Sequence, residues 1–296
     1  MRIGFIGIGN MGAPMAEHIA RGGHDVVVFD LDADRSKRFA QAHGATAAPD
    51  LASIAATDIV VTMLPTGKDV RHVVLNADGG ALGKALRPGG IVIDMSSSEP
   101  VGTRELGAAL AARQVILIDA PVSGGVARAK TATLAIMIGG DDKAAMARAL
   151  PVLRLMGDRL FETGGLGTGH AMMALNNFVA ATAFAATSEA MMIGDRFGLD
   201  RAAMIDIMNV STGRNFFTDV VMKEHVIGET FATGFAIGLL AKDVHIAREL
   251  GQAMAVEAPL TELVGERWAA ARDAVGPGRD NTEAYIAWSA KPPKVT

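Results

Sequence analysis

Gly7-Ile8-Gly9-Asn10-Met11-Gly12 constrains this chain more than any other segment. It follows a short apolar run, Arg2–Ile6, and opens an amphipathic stretch at residues 11–21. Between a strand and a helix, each glycine has its own task. The first allows a tight turn, the second lets the backbone approach a pyrophosphate, and the third allows close helix–strand contact. The helix start beyond them offers free N–H groups and the positive end of its dipole to phosphate. Without that context the same letters would describe an ordinary turn. Asp30 supplies the context, because it ends the next β-rich run, roughly 20 residues beyond the loop. A carboxylate there accepts hydrogen bonds from adenosine ribose hydroxyls and repels a 2′-phosphate. Dinucleotide binding is therefore expected, with NAD favoured over NADP. Arg35 and Lys37 remain available to a phosphate.

The first half of the chain alternates β-rich and helical segments. Strands are expected at Arg2–Ile6, Asp25–Phe29, residues 59–63, Ile91–Asp94 and residues 115–118, with two more at 134–138 and 159–162. Helices are expected at residues 11–21, 35–43, 101–112 and 141–155. Apolar strands alternating with helices imply a doubly wound parallel sheet covered on both faces. Past Gly164-Gly165-Leu166-Gly167 the strand signals stop. A long Ala/Met-rich helix is expected at residues 169–194, about 40 Å long at 1.5 Å per residue. More helices are expected at Arg201–Asn209 and residues 216–224, 239–255, 260–275 and 282–289. The fold class is thus α/β: a Rossmann-type domain at 1–163 and an all-α domain at 164–296, joined by the long helix. The site is expected between the domains, facing the carboxyl ends of the strands. Pro292-Pro293 is expected to end regular structure.

Composition excludes several classes. With 296 residues, half of them hydrophobic, the chain can bury a large core. Net charge is −4 without a basic block, so a nucleic-acid partner is not expected. The absence of cysteine removes disulfides, thiol catalysis and Cys-ligated zinc, and fits a cytoplasmic location. The N-terminal segment lacks a signal-peptide pattern, and no apolar run is long enough to suggest membrane insertion. The seven histidines show no metal-binding spacing, so no metal is expected. Strand ends add cofactor-binding candidates: Leu64-Pro65 after the strand at 59–63 and Ser96 after the strand at Ile91–Asp94. Pro65 and the serines also read as a strand stop and helix caps.

Four segments in order carry a resemblance. Residues 4–16, from Gly4-Phe5-Ile6-Gly7 to Pro14-Met15-Ala16, are similar to the opening signature of the β-hydroxyacid dehydrogenases. Asp119-Ala120-Pro121-Val122-Ser123-Gly124-Gly125 resembles their substrate-binding motif, and Ala241-Lys242-Asp243 a further family motif. Gly167-Thr168-Gly169-His170-Ala171-Met172-Met173-Ala174-Leu175-Asn176-Asn177 resembles their catalytic helix, G-x-G-x-x-x-K-x-x-N-N, with Met173 at the lysine position.

The resemblance implies an NAD-dependent enzyme that moves hydride between nicotinamide and a small carboxylate-bearing 3-hydroxy acid or semialdehyde. The ammonium that would polarise the carbonyl and give up a proton belongs at position 173. Asn177 lies one helical turn on, on the same face, to hold substrate. Ser123 and the N–H groups of Gly124 and Gly125 would bind the substrate carboxylate. Lys242 would add positive charge beside cofactor and substrate. Read without the resemblance, Ser123-Gly124-Gly125 is a flexible turn, Lys242 a solvated lysine, and Met172-Met173 core methionines. The resemblance also implies a homodimer or homotetramer built through the helical domains.

A thioether cannot deliver a proton. Three readings of Met173 follow: a dehydrogenase carrying a Lys-to-Met change, an enzyme with a native methionine that reduces a protonated imine, or a dinucleotide-binding scaffold without catalysis. His170 reads as a helix-start residue that could also reach cofactor. Arg214 reads as a substrate contact or a loop lock. Phe178, Phe216, Phe217, Phe235 and Ile237 are candidates for setting pocket size.

Overall fold

The computed structural model describes residues 1–76 and 82–289. Pro292-Pro293 lies outside them. The chain divides into two compact units, Met1–Met173 and Ala174–Thr296.

The first unit is built on a sheet of nine strands among the described residues. They are β1 (Arg2–Ile6), β2 (Asp25–Phe29), β3 (Thr46–Ala47), β4 (Ile59–Thr62), β5 (Ile91–Asp94), β6 (Ile116–Asp119), β7 (Val122–Ser123), β8 (Ala135–Gly139) and β9 (Arg159–Gly164). The order β3-β2-β1-β4-β5-β6 is parallel throughout. This is the doubly wound Rossmann arrangement, whose order reverses between β1 and β4. β8 then runs antiparallel beside β6 and β7, and β9 pairs with β8 in parallel. The central strands β1, β4, β5 and β6 are largely apolar and buried because helices cover both faces of the sheet. One layer buries Phe5, Met15, Val28, Ile59 and Ile93. The opposite layer buries Ile6, Val27, Val60, Val92 and Leu117.

Several short elements escaped the sequence reading. They include β3, β7, the helical turns Leu51–Ile54, Gly67–Arg71, Leu82–Ala85 and Gly125–Lys130, and a π-helical turn, His72–Asn76. Two-residue strands have no period to detect.

The second unit is helical: Arg201–Asn209, Phe217–Ile227, Ile237–Ala253, Pro259–Val275 and Ala284–Ser289. They surround Phe184, Trp268 and Met222, all fully buried. The division between units falls inside the long helix, Thr168–Phe197. Its first turn belongs with the sheet because Asp119, at the end of β6, accepts from the backbone N–H groups of Gly167 (2.7 Å) and His170 (2.8 Å).

Two helix expectations need correction. The long helix does not stop at Gly194. That glycine lies where a Cβ would come within 2.4 Å of Met204, so it serves close packing, and the helix runs on to Phe197. The stop is Gly198, whose φ of +99° suits a residue without a side chain. The segment expected at 216–224 is π-helical over Phe217–Ile227. Asn215 sets its start by accepting from the N–H groups of Phe217 and Thr218.

Candidate active site

The glycine loop leaves β1 where the sheet order reverses. Gly7 has a φ of +90°, and a Cβ on it would come 2.4 Å from the Met63 carbonyl oxygen. A Cβ on Gly12 would sit 1.9 Å from the carbonyl oxygen of Gly7. These two glycines are therefore required by the protein's own packing. Gly9 is different: a Cβ there would meet nothing within 4 Å. Its bare backbone faces open space at the start of helix Gly12–Arg21, the shape a pyrophosphate needs. The residues present thus fit a dinucleotide. Ile8, Asn10 and Met11 complete the loop.

Asp30 braces this loop from the end of β2. Its carboxylate accepts from the backbone N–H of Ile8 (3.0 Å) and of Asp32 (3.0 Å). The Arg35 guanidinium also donates to it, at 3.2 and 3.3 Å. The sequence reading offered Arg35 to a phosphate and did not foresee that it turns back from the following helix to pair with Asp30.

Two more strand ends meet nearby. Ser96 Oγ accepts from the Leu64 backbone N–H at 2.9 Å, joining the segments after β4 and β5. Asp94 is buried beneath them and accepts from Thr62 Oγ1, the Ser96 N–H and Ser98 Oγ. Pro65 follows directly.

Ser123 closes β7, paired opposite Ala135. Gly124 and Gly125 both have positive φ, +128° and +64°, and lead into the short helix Gly125–Lys130. Residues with side chains rarely adopt this pair of conformations, which is why glycines stand here.

Met173 lies in the long helix and is 5% exposed. In the second unit, Asn177 Nδ2 donates to Asp243 Oδ2 at 2.7 Å. Lys242 Nζ lies 3.5 Å from the other carboxylate oxygen. Burial pushes the Asp243 carboxyl above the usual range, while Lys242 and the Asn177 amide pull it back. Asn177, Lys242 and Asp243 thus form one cluster. The sequence reading gave roles to the first two and quoted Asp243 only as part of the Ala241-Lys242-Asp243 segment.

Other candidates fall outside these groups. Arg214 pairs with Asp219 at 2.9 Å and so ties down a loop. Phe217 and Ile237 are buried in the helical core, while Phe216 is mostly exposed. Neither condition makes a pocket wall. Among the described residues, no three His, Asp or Glu side chains are arranged to hold a metal, and no helix is long and apolar enough to cross a membrane.

A Rossmann sheet with a dinucleotide cradle, followed by an all-helical unit, defines a nicotinamide-dinucleotide oxidoreductase. Residues 2–165 match the NAD-binding domain of 6-phosphogluconate dehydrogenase, and residues 167–288 match the NAD-binding domain of NADP-dependent 3-hydroxyisobutyrate dehydrogenase. The chain belongs to the β-hydroxyacid dehydrogenase family. It is 34% identical to 2-(hydroxymethyl)glutarate dehydrogenase of Eubacterium barkeri, over 97% of this chain and 94% of that one. It is 35% identical to 3-hydroxyisobutyrate dehydrogenase of Pseudomonas aeruginosa, over 88% and 89%. The solved Mycobacterium tuberculosis 3-hydroxyisobutyrate dehydrogenase with L-serine superposes with a TM-score of 0.88 at 32% identity, covering 98% of this chain and 99% of that one. An imine reductase of Streptomyces aurantiacus covers 98% of this chain and 100% of that one at 19% identity and a TM-score of 0.63, a likeness of fold alone.

Proposed function

We propose that this chain is an NAD-dependent oxidoreductase for small 3-hydroxy acids or semialdehydes that carry a carboxylate, in a form impaired by Met173. The Asn177–Asp243–Lys242 cluster, with Asp243 buried between two partly buried partners, carries the reading. A buried carboxylate is costly to keep, and a site that binds and orients a polar substrate gives it a use. The named relatives act on hydroxy acids, whereas the imine reductases share only the fold.

The dinucleotide, when bound, supplies or accepts the hydride. The Gly7–Gly12 loop holds its pyrophosphate, Asp30 its adenosine ribose, and Leu64, Pro65 and Ser96 border it from the next strand ends. The Ser123 hydroxyl, with the N–H groups of Gly124 and Gly125, holds the substrate carboxylate. Asn177 orients the reacting oxygen, and Lys242 offsets negative charge. At position 173 a methyl thioether fills the volume of a lysine side chain without a proton to give. Carbonyl reduction therefore has no matched acid, and alcohol oxidation has no matched base. Asp30 favours NAD through its charge, although Arg35 neutralises part of it. We also assign a homodimer or homotetramer, formed through the apolar side chains exposed on the helical unit.

The test is Met173→Lys. Initial rates of NAD reduction should rise about 10²–10⁴-fold with at least one of serine, 3-hydroxyisobutyrate or glycerate. No gain with any of them overturns the impaired-dehydrogenase reading. Rapid reduction of cyclic imines by the unmodified chain would replace it.

A further inference from the structure

His170 has no task in the reading above, yet its ring is wholly buried. Three groups face it from three elements. Thr103, on helix Pro100–Ala111, places Oγ1 2.8 Å from Nδ1. Asp94, at the end of β5, places a carboxylate oxygen 3.7 Å from Nε2. Asp119, at the end of β6, lies 3.8 Å from Nδ1 and also accepts the His170 backbone N–H. Nε2 has no hydrogen-bond partner of its own among the described residues.

Chemistry fixes the ring's orientation. Asp94 and Asp119 stand opposite each other in the β5–β6 register, so two buried carboxylates are neighbours. A bare Nε2 would turn a lone pair toward the Asp94 carboxylate. A protonated Nε2 turns a positive edge toward it instead, and the Thr103 hydroxyl, which also reaches the Glu99 carbonyl oxygen at 3.1 Å, then shares its hydrogen with Nδ1. The ring becomes the polar link between the two acids.

Each acid anchors one half of the proposed site. Asp94 holds the Ser96 N–H, and Ser96 holds the Leu64 N–H on the cofactor side. Asp119 begins the segment that ends in Ser123, Gly124 and Gly125, and it caps the helix carrying Met173. A continuous chain of contacts therefore runs Leu64–Ser96–Asp94–His170–Asp119 into the substrate motif.

We propose that His170 is a positioning residue that couples dinucleotide binding to binding of the substrate carboxylate. The proposal rests on the dehydrogenase reading. Coupling between two sites is a ratio of affinities, so it is measured without turnover and is indifferent to Met173.

The experiment is calorimetric titration of the full chain with NADH and with 3-hydroxypropanoate, each alone and each in the presence of the other. The unmodified chain should bind the second ligand about 5–150-fold more tightly once the first is bound. His170→Leu should remove that factor while leaving each separate affinity within about threefold. A purely structural role would weaken both separate affinities instead. His170→Gln keeps an N–H for Asp94 and should keep much of the coupling. Thr103→Val preserves shape, removes the Nδ1 partner along with the hydroxyl's bond to the Glu99 carbonyl oxygen within its own helix, and should reduce the coupling even where His170→Leu fails to fold. Coupling intact in His170→Leu or in Thr103→Val overturns the proposal. Ligands that bind the unmodified chain independently overturn it too, while leaving the dehydrogenase reading in place. A chain that binds neither ligand removes that reading itself.

Discussion

Gly9 and Gly12 lie in the same loop but differ in what a methyl group would meet. At Gly12 it would press on the Gly7 carbonyl, and at Gly9 it would enter open space. Gly12→Ala should therefore unfold the loop and lower the melting temperature. Gly9→Ala should melt like the unmodified chain yet lose most NADH affinity, because its methyl group stands where the pyrophosphate must approach. Calorimetry and fluorescence titration together separate the two. Asp243 supports a prediction in pH. Burial raises its carboxyl in the folded state, so the native protein holds a proton that the unfolded chain has already lost above about pH 3.9. Stability from this residue is thus fully present below the ordinary carboxylate range and is lost as pH rises through the raised value. The denaturant midpoint of the unmodified chain, measured against that of Asp243→Asn, should therefore fall as pH rises through that window, and a constant difference would refute this.

Among the elements, the start of the long helix is the most tightly specified. A Cβ on Gly169 would come 2.3 Å from the Met137 carbonyl oxygen on β8, a backbone atom that cannot swing aside. Alanine is the better helix former by about 1 kcal/mol. Even so, Gly169→Ala should destabilise the protein, because forced overpacking costs about 1–3 kcal/mol and here meets main chain. A urea midpoint higher than that of the unmodified chain would refute this. Much of the element pattern was legible beforehand: β1, β2 and β5 fall where apolar runs sit between turn residues, because both sheet faces are covered. The end of the long helix was not legible. A glycine that stops a helix and one that packs against a neighbouring methionine look alike in one dimension. The π-helical turns of Phe217–Ile227 were hidden for a related reason, since Asn215 and Thr218 set the start through side-chain bonds that no periodicity records. At the site, the glycine loop and Asp30 were readable because their spacing is local. The roles of Arg35, Asp243 and His170 were not, because each depends on a partner brought close by folding.

On the scale of the whole molecule, the helical unit exposes large apolar side chains, including Phe197 and Val210, each 86% exposed, and Ile193 at 70%. Exposed apolar side chains of this size are candidates for a protein–protein contact. Sedimentation at micromolar concentration should give a dimer or tetramer, and Phe197→Asp combined with Val210→Asp should shift it toward monomer. A monomer for the unmodified chain would refute the assigned assembly. The sheet order carries a different consequence. β1 precedes both of its sheet neighbours in the chain, yet it ends up between β2 and β4. On the ribosome, the fully apolar flank of Ile3 and Phe5 must wait until Ile59–Thr62 has emerged before both its edges are paired. Translation speed and chaperone capture over the stretch from β1 to β4 therefore bear on the yield of native protein, independently of any chemistry performed later.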